Sequence, residues 1–380
     1  KGDMYLSIYN MARVRKVSLQ EQFNLANNWN LQSIELDHVV RTYAAYKQAL
    51  EKIDFVDMIE MFISQGEAPE LDLLIVDEAQ DLVPLQWDMV DKLKDNSQQI
   101  YYAGDDDQAI YEWMGVDASE FVQRCNSADE AVVLNQSFRV PSSVHEEATR
   151  MIKYVQGRID KRWNPREDQG NVSYHYKIDE LPLEEGQWMI LARTNYIANR
   201  VAADLKSNGY LFWRNGNGWS VAKSTLDVVR GFTKLTRGQE IDRDELSQVW
   251  RKIKVDRKIR TAGNKTLKAS ENEVFDMEFL ESLVQRPLQD KKWFEVLEVS
   301  DQERIYITSV LESGEKFNDE NPRLVLSTIH KAKGGEADNV ALLLESTKAC
   351  CTLSEPDAER RVFYVGATRA KQKLFVVDNP

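Results

Sequence analysis

Cysteine is scarce in this 380-residue chain. Only Cys125, Cys350 and Cys351 occur, too few for a disulfide framework and suited to a reducing compartment. Long apolar runs are also missing; none approaches the ~18–20 residues of a membrane span, so no transmembrane helix is expected. The opening Lys1-Gly2-Asp3-Met4-Tyr5 has no apolar segment, so no secretory leader is expected either. Positive charge is outnumbered, 49 Lys and Arg against 62 Asp and Glu, and the net charge of −13 argues against wholesale binding of a polyanion. A Gly-x-x-x-x-Gly-Lys-Ser/Thr phosphate loop occurs nowhere, and the nearest approach, Gly216-Asn217-Gly218-Trp219-Ser220, has no lysine in place. What remains is the composition of ordinary globular domains, with length for two or three of them.

The chain is organised around Leu73-Leu74-Ile75-Val76-Asp77-Glu78-Ala79-Gln80-Asp81. Four successive apolar residues predict a short strand buried on both faces, as inside a parallel sheet. The carboxylates that follow fall where the strand ends and a loop opens, the edge at which ligands bind in open α/β sheets. An Asp-Glu pair there suits nucleotide hydrolysis: Asp77 as the Mg²⁺ ligand, Glu78 as the base that orients and deprotonates water. The plainer alternative is a strand leaving into a solvated polar loop.

A second strand is predicted at Gln99–Ala103, leading into Gly104-Asp105-Asp106-Asp107-Gln108. Three adjacent aspartates invite a metal-site reading, even a metal-dependent nuclease, but without a spaced partner they read more simply as a charged loop. Further strands are predicted at 131–134, 188–194, 324–328, 340–344 and 374–377, and helices at 84–94, 142–155, 195–208 and 223–236. The segment 158–170 reads as a polar, charged loop. From Arg251 to Lys268, eight basic residues face the single Asp256, which reads either as a footprint for phosphates or as a solvated helix face.

Asp77-Glu78-Ala79-Gln80-Asp81 resembles the Walker-B element of superfamily-1 DNA helicases of the UvrD/Rep/PcrA kind, and four further motifs follow in that family's order. Gly104 to Trp113 resembles motif III, Asn135 to Pro141 motif IV, Thr328 to Glu336 motif V, and Glu359 to Lys371 motif VI. The resemblance implies an α/β fold of two RecA-like parallel-sheet motor domains, the first incomplete, with mostly helical insertions. It divides the chain into a helical 1B-like remnant (1–66), the C-terminal part of domain 1A (67–130), domain 2A in two parts (131–236 and 321–380) and a short helical 2B-like insertion (237–320).

The same resemblance implies roles. Asp77 holds the metal and Glu78 is the base; Gln108 senses the γ-phosphate and its attacking water; Arg139 and Arg369 are the arginines that meet the γ-phosphate. Phe138 stacks on adenine, Glu336 accepts from the ribose and Gln80 contributes to the nucleotide site. Tyr111 and Trp113 stack on bases, a sequence-tolerant grip, while Thr328, His330 and Lys333 lie between the DNA backbone and the nucleotide. The chain departs from the family at Met114, where arginine is usual, at Phe138 for tyrosine, and at Gly335 and Ala337 beside Glu336.

The implied activity is Mg²⁺- and ATP-dependent 3′→5′ translocation on single-stranded DNA with unwinding of duplex junctions, in DNA repair or replication, in the cytoplasm of a bacterial, archaeal or phage-encoded system. Since only 76 residues precede Asp77, the phosphate loop is expected upstream of Lys1, making this chain a catalytically incomplete piece of a larger enzyme. The alternative from another class is an ATPase-inactive DNA-binding or scaffold module of the same fold.

Overall fold

The computed structural model describes residues 1–26, 30–314, 320–348, 350 and 355–378, so Cys351 and part of the 237–320 insertion lie outside the described residues. The chain forms two compact units. The first comprises Lys1–Ser173, Lys333–Gly335 and Ser346–Leu374; the second comprises Tyr174–Ala332, Glu336–Glu345 and Phe375–Pro380. This is an α/β architecture with parallel sheets.

In the first unit, α1 (Gly2–Arg15), α2 (Leu19–Leu25), α3 (Ser33–Ala49) and α4 (Phe55–Gln65) precede β1 (Leu71–Val76). Asp54 caps α4 in a reciprocal pair with Asp57. Next come α5 (Pro84–Lys94), with proline in its first turn, and β2 (Ser97–Tyr102). β2 runs parallel to β1 in the register Leu71↔Ser97 to Val76↔Tyr102, so both strands end at one level. The expectation of a strand buried on both faces is corrected here. Among the described residues this sheet has two strands, and one face is covered, where Trp87, Val90 and Phe121 pack with Val76, Ile100 and Tyr102. The alternate side chains point the other way: Leu73 is 44% exposed and Ile75 62%.

After α6 (Ala118–Asn126), the strand predicted at 131–134 is absent; Val132, Val133 and Leu134 are exposed and belong to no strand. The strand instead begins at Gln136, as β3 (Gln136–Pro141), because its pairing partner is β4 (Asn164–Arg166), in register with Gln136 and Pro141. α7 (Ser142–Ile152) lies between them in sequence.

The second unit is built on a seven-stranded sheet. Its strands are β5 (Asn171–His175), β6 (Trp188–Ala192), β7 (Trp213–Arg214), β8 (Gly218–Trp219), β11 (Leu324–Thr328), β12 (Ala337–Leu343) and β13 (Ala370–Val377). Their order is β5-β13-β12-β6-β11-β7-β8, and β5 and β13 carry the chain from one unit to the other. β6 lies between β11 and β12, parallel to both, and every one of its residues is buried, as its uninterrupted apolar run predicts. α8 (Asn195–Ser207) follows β6, capped by Thr194, and ends before Gly209, which takes the left-handed φ of +78° that a helix stop favours.

A separate core joins α9 (Lys223–Thr236), α10 (Arg243–Lys252), α11 (Arg257–Ala269), α12 (Met277–Val284), α13 (Trp293–Val296) and α14 (Asp301–Ser313), centred on Phe232, Trp250, Leu280 and Ile307. A small antiparallel pair, β9 (Ile241–Asp242) with β10 (Val274–Phe275), ties it together. The basic run occupies the end of α10 and all of α11. Arg260 caps the Trp250 and Ile253 carbonyls, whereas Lys258, Lys265 and Lys268 are exposed. The last helix, α15 (Pro356–Ala367), belongs to the first unit and leads through Thr368 and Arg369 into β13.

Candidate functional site

The carboxyl ends of β1 and β2 place two loops side by side in the first unit. Ala103 N donates to Val76 O (2.8 Å) and Ala79 N to Ala103 O (2.9 Å), locking the Asp-Glu turn to the Gly104-Asp105 turn. Asp77 is exposed, its Oδ1 accepting from Glu78 N (2.9 Å). Glu78 adopts a left-handed φ of +50°, a conformation that costs a non-glycine residue about 1 kcal/mol and that concentrates at functional sites. Its carboxylate accepts from Gln80 Nε2 (2.6 Å).

Gln80 is 1% exposed and engaged at both ends, its Oε1 accepting from Asp105 N (2.9 Å). It therefore bridges the two loops and orients Glu78, rather than presenting its amide to solvent. Asp105 Oδ2 in turn accepts from Gln108 Nε2 (2.8 Å), and Gln108 Oε1 accepts from an Arg369 NH2 (3.2 Å). One hydrogen-bonded series thus runs Glu78–Gln80–Asp105–Gln108–Arg369.

Arg369 sits in the turn after α15, 2% exposed, with Nε donating to Val365 O (2.9 Å). Burial, followed by the charge of nearby Arg139, lowers its pKa to about 10, so it stays cationic at neutral pH. A buried arginine that feels the charge of a half-buried one suits a receptor for concentrated negative charge. Arg139 lies on β3 beside Phe138, whose ring is 87% exposed.

Lys333 also belongs to this unit. Its ammonium pairs with Asp81, donates to Gln108 O (2.9 Å), lies 3.6 Å from Glu78 and sits 5.2 Å from the centre of the Tyr111 ring. Burial raises the Asp81 pKa, and Lys333 pulls it partly back. Tyr111 is half-buried and Trp113 62% exposed.

Thr328, His330 and Glu336 belong to the second unit, at the end of β11 and in the turn that follows. Thr328 is buried, His330 half-buried and Glu336 exposed.

The three aspartates are not a solvated loop. Asp106 and Asp107 are 0% exposed, and their charge is met by residues from the polar 158–170 segment, which sequence reading left without a role. Arg158 Nε donates to Asp107 (2.8 Å), Ile159 N donates to Asp106 (2.9 Å), and Lys161 pairs with Asp105 (2.7 Å), Asp106 and Asp107 (3.1 Å). Arg361 of α15 donates to Asp106 O (3.1 Å) and to Glu112 (3.3 Å). The triplet itself signalled that cations are required if it is buried. Nothing local in the sequence said which cations.

Residues 4–129 match the UvrD/REP helicase N-terminal domain, and residues 232–379 match the UvrD-like helicase C-terminal domain. The chain is 26% identical to DNA helicase II of Escherichia coli over 156 residues, 37% of this chain and 22% of that protein. It is 23% identical over 450 residues to the ATP-dependent DNA helicase PcrA of Leuconostoc citreum, covering 90% of this chain and 60% of the relative. Against PcrA of Bacillus subtilis it is 24% identical over 229 residues, 56% of this chain and 31% of that one. The matches thus span less than two thirds of these relatives.

Proposed function

The chain belongs to the UvrD/REP family of superfamily-1 helicases, and from that premise we propose that the protein couples Mg-ATP hydrolysis to 3′→5′ movement on single-stranded DNA and to unwinding of duplex junctions. The observation that carries the reading is the series Glu78–Gln80–Asp105–Gln108–Arg369, which lines up a carboxylate base, a polar amide and a buried guanidinium in one unit. The donor set fits a magnesium nucleotide: hard carboxylate oxygens at an exposed strand end for the cation, two arginines for the phosphates. Bound Mg-ATP supplies the electrophilic phosphorus.

The residues of the chain do the rest. Glu78, held by Gln80, takes a proton from the attacking water. Gln108 orients that water, and Arg369 with Arg139 neutralises charge developing on the transferred group. Asp77 holds the cation, Phe138 offers its exposed ring to the base and Glu336 accepts from the ribose. Tyr111 and Trp113 grip bases by stacking, with Thr328, His330 and Lys333 on the DNA side of the coupling. Lys333, paired with Asp81 and bonded to Gln108, links motif V to the hydrolytic loops directly.

On this reading, β1, α5 and β2 are part of a RecA-like domain 1A. Residues 131–236 and 321–380 form domain 2A, residues 237–320 a short 2B-like insertion and residues 1–66 a 1B-like remnant. The expected setting is the cytoplasm of a bacterial, archaeal or phage-encoded system.

The test is ATP hydrolysis with and without single-stranded DNA, beside a Glu78→Gln variant. With a phosphate loop supplied, DNA-stimulated turnover that the variant lowers by about 10²–10⁴-fold is the expected result; this chain, in whose sequence no such loop occurs, is expected to bind DNA without turnover. Salt-sensitive DNA binding without turnover, even with the phosphate loop supplied, would replace it with an ATPase-inactive DNA-binding module.

A further inference from the structure

Three adjacent carboxylates, two of them fully buried, repel one another and carry the full cost of desolvation unless cations meet them. In this chain the cations are Arg158 and Lys161, three residues apart in a segment without regular helix. The three aspartates have the spacing of a metal site. The Lys161 ammonium lies within bonding distance of all three, where a metal ion would otherwise sit. The pairing has one consequence beyond neutralisation. Gln108 has a polarity: its NH₂ faces Asp105 and its carbonyl oxygen faces Arg369. That polarity persists only while Asp105 remains a pure acceptor. A protonated Asp105 would offer a donor, the amide would lose its reason to keep its NH₂ on that side, and a reversed amide would turn its NH₂ against a guanidinium.

We propose that Lys161 and Arg158 are positioning residues: their ion pairs hold the Asp105-Asp106-Asp107 turn in place, and through Asp105 they fix the Gln108 amide with its oxygen toward Arg369. The catalytic meaning of this rests on the ATP-hydrolysis reading; the geometry does not. Burial works against the Asp105 carboxylate, but Lys161 and the Gln108 amide outweigh it and hold its pKa below the usual value. Arg158 serves from one side, bidentate on Asp107, while Ile159 N holds Asp106 between the two cations. Arg361 fixes the same turn through the Asp106 carbonyl, so the turn is tied both to the 158–161 segment and to α15.

The test reads the Gln108 side-chain amide of the full chain by ¹H–¹⁵N NMR, the resonance pair being identified by its loss in Gln108→Glu. Lys161→Met is expected to displace or broaden that pair, and Lys161→Arg to restore it. An unmoved pair in a folded Lys161→Met protein overturns the proposal. A pair displaced equally in both variants also overturns it, since the cation would then not be what matters. Circular dichroism reports folding, and if Lys161→Met does not fold, Arg158→Met against Arg158→Lys gives the same reading. Where turnover is measured, Lys161→Met is expected to lower kcat about a hundred-fold with KM unchanged. The amide is observed without nucleotide, so failure of the hydrolysis reading leaves this test intact.

Discussion

Lys333 shows how much one side chain does here. It is the cation that Asp81 meets on burial, a donor to the Gln108 carbonyl and a charge over the Tyr111 ring. Lys333→Ala leaves the half-buried Asp81 without its ammonium, and its pKa, already raised by burial, rises further. A carboxyl whose folded pKa exceeds its unfolded value destabilises the fold above that pKa, and the penalty fades as pH falls through it. The expected loss is therefore about 2 kcal/mol near pH 7.5 and visibly less near pH 5, read as the shift in urea midpoint at the two pH values. An equal loss at both would mean that Lys333 acts through packing alone.

Elements are held by shared charges as much as by apolar cores. Arg13 of α1 and Lys47 of α3 both meet Asp54 and Asp57 at the start of α4, and Arg13 also reaches Glu60 (2.5 Å). Burial opposes ionisation of Asp54, but the Lys47 hydrogen bond, the Asp57 backbone amide and the Arg13 charge bring its pKa down to about 2. A depressed carboxylate stabilises fully above its unfolded value of about 3.9, and that stabilisation is lost as pH falls through the folded pKa. A thermal melting midpoint that drops between about pH 4 and pH 2 is expected, with Asp54→Asn flattening the dependence across that window. The strand expected at 131–134 belongs to this scale as well. Hydrophobicity alone nominated Ala131–Leu134, whereas a strand also needs a neighbour with which to bond, and that neighbour, β4, meets the chain beyond them, from Asn135 onward.

For the whole molecule, a net charge of −13 coexists with a basic helix. Lys258, Lys265 and Lys268 are spaced at i, i+7 and i+10 and exposed on α11, one stripe of like charge. If the stripe meets DNA phosphates, replacing all three by Gln lowers the slope of log affinity against log salt by about two units, at ~0.7 per charge for a single strand. Fluorescence anisotropy across a salt series reads this directly, and an unchanged slope assigns the run to solvation. The two ends of the chain match the UvrD/REP helicase N-terminal and UvrD-like helicase C-terminal domains, in agreement with the family resemblance and with the α/β fold expected from it. The role of each site residue stands as a proposal for these measurements.

What the sequence determined by itself is local and one-dimensional. The buried strand Trp188–Ala192, the helix after it with its stop at Gly209, the helix 84–94 and the chain order of the motifs follow from apolar runs, caps and spacing, all of which act between near neighbours. Tertiary structure decided which charges meet. Arg158 and Lys161 stand some fifty residues from the aspartates they neutralise, and Arg369 more than two hundred and fifty from Gln108. It also decided that Gln80 looks inward and that one face of β1 is uncovered among the described residues. Burial and ion pairing depend on what the fold brings alongside, and a carboxylate in sequence carries no mark of the cation that will meet it.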